Sequence, residues 1–273
     1  MTDVEAPPHP FDTALDLTPV APGRWRGRTT PAWANMVGPF GGITAAALVR
    51  AVQLHPQVHG DPLALTVNYA GPIADGDFEI AARPMRTNRT NQHWALEITQ
   101  GEAVTTTGTA VFGLRRDTWT DTEARMPAAP DPATVAAEPF PEFIAWARNY
   151  DMRFVTGPVP TQPGTEHPDS TSTLWVRAAP ARALDYPALA ALCDVFYPRV
   201  FLRLGRYVPA GTVSLTTYFH AEPGALAAVG AEFVLATARA QRFGRGYADQ
   251  TAQLFGRSGE LLATTHQLVY FKS

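Results

Sequence analysis

The chain has 273 residues, 45% of them hydrophobic and 17% charged, with a net charge of −3. That balance fills a core and excludes disorder; it offers neither the basic surface that nucleic-acid binding needs nor an apolar run of about 18 residues for a membrane span. One cysteine, Cys193, allows no internal disulfide and no cysteine-based metal site, and the acidic, Pro-rich residues 1–17 lack the basic and apolar regions of a secretory signal, so a cytoplasmic protein is expected.

Heavy Pro and Gly punctuation leaves mostly short, β-like segments. Residues 25–29 suggest a first strand. The run Gly41-Gly42-Ile43-Thr44-Ala45-Ala46-Ala47-Leu48-Val49-Arg50-Ala51-Val52 breaks that pattern. Ala-rich and apolar almost all round, it predicts a helix buried on most sides. Strands are expected at 63–70, 77–83, 92–99 and 104–114, with Asp75-Gly76, Thr87-Asn88 and Gly101-Glu102 in the turns. Residues 116–170 are rich in Pro, Ala, Thr and Asp and read as a long connection packed on the rest. They hold one short helix near 141–148, with Phe143, Trp146 and Tyr150 on or near one side. The first order then recurs: a strand at 171–177, a helix at 187–198 opened by Pro187, and strands at 212–219, 231–238, 247–255 and 261–271.

Strand, helix and four strands occur twice, and duplication is the simplest account. One apolar helix per repeat, followed by antiparallel strands, predicts an α+β chain in which each repeat wraps a sheet around a central helix. The expected division is 1–115 for the first repeat, 116–170 for the connection and 171–273 for the second.

The motifs, taken in order, resemble those of the acyl-CoA thioesterase II family of double-hotdog thioesterases. Val37-Gly38-Pro39-Phe40-Gly41-Gly42 ahead of an Ala-rich helix is similar to that family's Phe-Gly-Gly opening, and Ala70-Gly71-Pro72-Ile73 to its Arg-Pro-Gly segment. In the second half, Tyr218-Phe219-His220-Ala221-Glu222-Pro223 resembles Trp-Phe-His-Arg-Pro. The closing stretch Gly259-Glu260-Leu261-Leu262-Ala263-Thr264-Thr265-His266-Gln267 resembles Gly-x-Leu-x-Ala-x-x-x-Gln. The similarity covers roughly 24–115 and 171–272. It implies a double hotdog, a fatty acyl-CoA substrate, no metal, and association into homo-oligomers. It also implies a catalytic set of Asp194 on the second helix, Thr212 on the strand after it and Gln267 on the last strand. The family carries Asp two residues after its Thr, where this chain has Ser214; the hydroxyl can come from Thr212, which is preferred, or from Ser214.

Part of that assignment stands on the residues alone. Between Pro187 and Pro198, Asp194 is the one charge among apolar neighbours. A carboxylate leaving water for such surroundings raises its pKa unless it is hydrogen-bonded, which suits a general base near neutral pH. A place on an exposed stripe, or a cap on a neighbouring turn, is the competing explanation. The first helix run holds no acid, so one active site per chain is expected. Gly41 and Gly42 would let a thioester carbonyl approach the helix start, or would serve close packing there. Arg242 and Arg245, flanking a hairpin, are placed to meet CoA phosphates or to be solvated surface arginines. His220 and His266 lack the Gly-x-Ser-x-Gly elbow of a Ser–His–Asp enzyme. Two other functions fit the same fold: a double-hotdog enoyl-CoA hydratase, whose Asp-then-His pair is missing before either helix, and a non-catalytic acyl-CoA binding protein.

Overall fold

The computed structural model describes residues 7–142, 144–160, 164 and 166–272; Phe143 of the expected helix near 141–148 lies outside them. The first half runs α1 (Pro10–Ala14), β1 (Thr18–Ala21), β2 (Arg24–Arg28), α2 (Gly41–Gln53), β3 (Asp61–Tyr69), β4 (Asp77–Thr87), β5 (Asn91–Gln100) and β6 (Ala103–Gly113). A 3₁₀ turn at Ala145–Asn149 leads into the second half. There follow β7 (Tyr150–Thr156), β8 (Ser172–Ala178), α3 (Tyr186–Leu192), α4 (Arg199–Leu204), β9 (Ala210–Phe219), α5 (Pro223–Val229) and β10 (Val234–Arg239). The short β11 (Phe243–Gly244), β12 (Tyr247–Phe255) and β13 (Leu261–Phe271) close the chain.

All strands form one antiparallel sheet in the order β1-β2-β4-β5-β6-β3-β9-β13-β12-β10-β8-β7, with β11 on β12. The halves meet where β3 pairs with β9, and the middle of that seam is Thr66 opposite Thr216. Their hydroxyls lie 3.1 Å apart, as a pair astride a two-fold axis should. From this pair the two halves read outward alike, strand for strand. Each half also carries a bulge at the same place, Leu63 in β3 and Val213 in β9 being skipped by their partners. Such an extra residue bends a strand and increases its twist, which helps the sheet curl around a helix. Together these features make the expected α+β double hotdog.

Helix α2 is buried from Gly42 to Val49 and again at Ala51 and Val52, while Arg50 is exposed. It packs directly on α3: a Cβ at Gly42 would stand 2.6 Å from the Ala191 carbonyl oxygen. Strand β12 buries alternate residues from Ala248 to Leu254, the period-two pattern of a half-covered sheet.

Several elements differ from expectation. Strand β4 runs past Pro84, because β2 pairs with it only as far as Ala81, and beyond that Pro84 stands at an edge where no ladder N–H is needed. The helix expected at 187–198 is two. Pro198 opens α4 rather than ending α3, and α4 stops at Gly205, whose φ of 60° suits glycine. Residues 116–170, expected as a connection holding one short helix, supply β7, which extends the second half's sheet beyond β8.

Candidate active site

Helix α3 starts on an Asp185 cap, whose carboxylate accepts the Ala188 N–H at 2.8 Å, with Pro187 in the first turn. It ends at Leu192. Beyond Cys193 the amides reach back only three residues, Asp194 N to Ala191 O at 3.1 Å and Val195 N to Leu192 O at 3.4 Å. Asp194, expected on the helix, therefore stands instead in the tight turn that follows it. The turn brings its carboxylate to the start of α2, where a Cβ at Gly41 would lie 2.6 Å from Asp194 Oδ2.

Three groups define the carboxylate's surroundings. Gln267 Nε2 donates to Asp194 Oδ1 at 2.8 Å, and the Gly42 N–H donates to the same carboxylate. Burial opposes both and wins: the Asp194 carboxyl is pushed up from 3.8 to about 7. The Tyr69 hydroxyl donates to the Gly41 carbonyl at 2.9 Å and stands 3.2 Å from the same missing Cβ. Gly42 thus serves the contact between the two helices and the bond to Asp194. A branched side chain there meets Phe40 and the Ala191 carbonyl, so at Gly42 the close packing of the helix start is what the structure shows.

The bulge at Val213 separates the two candidate hydroxyls. Thr212 pairs with Val269 and Ser214 with Leu268, so the extra residue puts them on opposite faces, whereas simple alternation would have them share one. Thr212 faces inward with Gln267 and Val269; Ser214 faces outward beside the exposed Leu268 and Asn68. Thr212 Oγ1 lies 3.5 Å from Gln267 Oε1, a long contact that leaves the hydroxyl able to turn to a ligand.

Asp194, Thr212 and Gln267 all open onto one cavity of about 970 Å³. Its walls are mainly apolar, including Phe40, Trp146, Phe154, Phe196, Phe201 and Val208. Phe40 and Trp146 stack with ring centres 4.1 Å apart. Large, apolar, and polar at a few points, it has the character of a small-molecule site.

The other singled-out residues fall elsewhere. Arg242 and Arg245 are exposed on the hairpin around β11 and do not line the cavity. Phe243 between them packs with Phe201, Val208 and Ala210, which do. His266 meets Asp249 at 3.4 Å and His220 meets Thr264 at 3.0 Å, both exposed. Burial pushes the Cys193 thiol up to about 12, so it is no nucleophile. Among the polar residues that carried no expectation from the sequence, two bear on the site. Asn35 lines the cavity ahead of α2, and Gln250 is 1% exposed with Nε2 3.3 Å from Gln267 Oε1. A glutamine on the buried stripe Ala248, Gln250, Ala252, Leu254 was the signal for the second.

Comparison with known proteins agrees with this geometry. Residues 30–113 match the family model "Acyl-CoA thioesterase N-terminal domain", and residues 116–271 match "Acyl-CoA thioesterase C-terminal domain". A hot dog fold protein of unknown function from Alicyclobacillus acidocaldarius is 45% identical, with TM-score 0.93 over 97% of this chain and 99% of that one. A thioesterase II from Thermobifida fusca, described as putative, shares 21% identity at TM-score 0.81, covering 98% and 99% of the two chains. Acyl-CoA thioesterase II TesB2 from Mycobacterium marinum shares 18% at TM-score 0.73, covering 96% and 98%; at these identities the likeness is one of fold. No curated protein matches. With both of its domain models matched in order along nearly the whole chain, the protein belongs to the acyl-CoA thioesterase family of thioester hydrolases.

Proposed function

We propose that the chain hydrolyses fatty acyl-CoA to the free acid and CoA, with Asp194 as general base. The observation that carries this reading is a buried carboxylate, raised to about 7, on the wall of a cavity of about 970 Å³. Thioester hydrolysis needs an activated water and a donor for the oxyanion that forms at the carbonyl oxygen. Asp194 takes a proton from a water held by Gln267 and Thr212, and the water oxygen bonds to the carbonyl carbon. The Gly41 N–H, which has no acceptor among the described residues, meets the oxyanion, helped by the positive end of α2. The carbon–sulfur bond then breaks, and the departing sulfur takes the proton back from Asp194.

In this reading the acyl chain fills the apolar cavity, and Arg242 and Arg245 meet CoA phosphates from the hairpin beside it. The outward face of Ser214 gives it no part in the chemistry. No helix among the described residues is long and apolar enough to cross a membrane. We further propose a cytoplasmic, self-associating protein, for which sedimentation measures the assembly.

Thiol release from acyl-CoAs of increasing chain length, followed with a chromogenic trap, tests the activity. Release that improves as the chain lengthens is expected. Absence of release from every thioester removes the reading, and consumption of an enoyl-CoA without thiol release assigns the chain to hydration.

A further inference from the structure

We infer that Gln250 is a positioning residue, which holds the Gln267 amide in the one direction that offers an N–H to Asp194. The inference rests on the proposed role of Asp194 as base. A glutamine amide changes little in shape when it turns over, but its two ends are chemical opposites. Turned one way, Gln267 donates to Asp194 Oδ1 at 2.8 Å. Turned the other, it sets an oxygen against the carboxylate.

Gln250 settles the choice. It sits directly across the β12–β13 ladder from Gln267, and its Nε2 is 3.3 Å from Gln267 Oε1. Both side chains are buried, at 1% and 3% exposure. Thr212 offers a second hydrogen to the same oxygen, at a longer 3.5 Å. The donors thus run in a line from Gln250 through Gln267 to Asp194.

Stability alone does not explain a glutamine here. Gln250 Oε1 is buried without a partner among the described residues, and such an orphan acceptor is destabilising. The equivalent position of the first half, read outward from the Thr66–Thr216 pair, is Trp94 opposite Ala110, an indole whose Nε1 is likewise buried without a partner among the described residues but which sets no amide's direction. What Gln250 adds is direction. With an apolar residue in its place, Gln267 keeps only the longer Thr212 contact to hold its direction, the carboxylate loses a dependable donor, and ionisation of Asp194 becomes harder.

The test follows the Asp194 carboxyl carbon by NMR through a pH titration, in the full chain and in Q250L and Q250M, with folding checked by circular dichroism. Loss of Gln250 is expected to move the midpoint up by about one pH unit, an effect that packing would not produce. Where turnover is measurable, the acid limb of the kcat profile moves with it while KM stays. An unmoved midpoint in a folded variant overturns the inference. In the unmodified chain, a through-bond coupling from the Gln250 N–H to the Gln267 carbonyl is required, and its absence overturns the inference even if neither variant folds. The titration needs no substrate, so a protein that cleaves no thioester refutes the proposed activity and leaves this result to be judged separately.

Discussion

The two halves share a sheet plan but not its contents. Counting outward from Thr66 and Thr216, Gln267 corresponds to Ala110, Gln250 to Trp94, and Thr212 to Pro62. One half fills these positions with an amide pair and a hydroxyl, the other with an alanine, an indole and a proline. Both fillings leave the strands and the bulge in place, since a ladder is made by backbone groups and needs only matching side-chain volume. The helices differ likewise: α2 holds no acid, and α3 runs directly into Asp194. Yet α2 contributes the Gly42 N–H that meets Asp194. In the proposed mechanism each half is therefore specialised, one supplying the reactive side chains and one the helix start they face.

Substitutions that make the second half resemble the first should erase its chemistry in graded steps. Asp194→Asn is expected to cut turnover by about 100-fold or more, measured by thiol release. The same variant has a stability signature. Because folding raises the Asp194 carboxyl from 3.8 to about 7, its contribution is fully present below about pH 4 and lost as pH rises to about 7. Denaturant unfolding across that window should show the slope in the native chain and not in the variant. Gln267→Ala, the residue of the first half, should cost turnover about 10- to 100-fold and leave the fold intact. Gly42→Val attacks the shared helix contact instead, and should destabilise by about 1–3 kcal/mol in the same unfolding measurement. Thr212→Val should lower kcat by about tenfold, with little change in KM. Ser214→Ala, on the outer face, should stay within about twofold of native turnover, and a larger fall would return the hydroxyl role to it.

Much of this contrast was visible in the residues. Alternation marked β12 and β13 to their ends, and the Ala-rich run marked α2, because burial on one face or on all sides leaves a periodic trace. Asp194 stood out as the single charge in an apolar stretch. Its departure from the helix did not, since Pro198 reads equally as the end of one helix or the start of the next. Strand β7 was hidden in a Pro-rich stretch because edge strands carry a weak pattern. Gln250 was passed over because an amide in a strand has a bland use at most positions. Only the ladder shows that it faces Gln267. The side of Thr212 was out of reach for a different reason: a bulge is a property of two strands, and neither strand spells it alone.

That bulge also affects how lengths compare between related chains. Val213 has no partner, so Thr212 stays opposite Val269 and Ser214 opposite Leu268 whether or not the extra residue is present. An insertion or deletion at this point changes the bend of the strand and leaves the facing of its neighbours as it was. Divergent copies can therefore differ by one residue between the inward hydroxyl and the segment Tyr218-Phe219-His220 while holding that hydroxyl in the same place. For this strand, an alignment gap of one is neutral for the site, and a gapless alignment can match the wrong residue to Thr212.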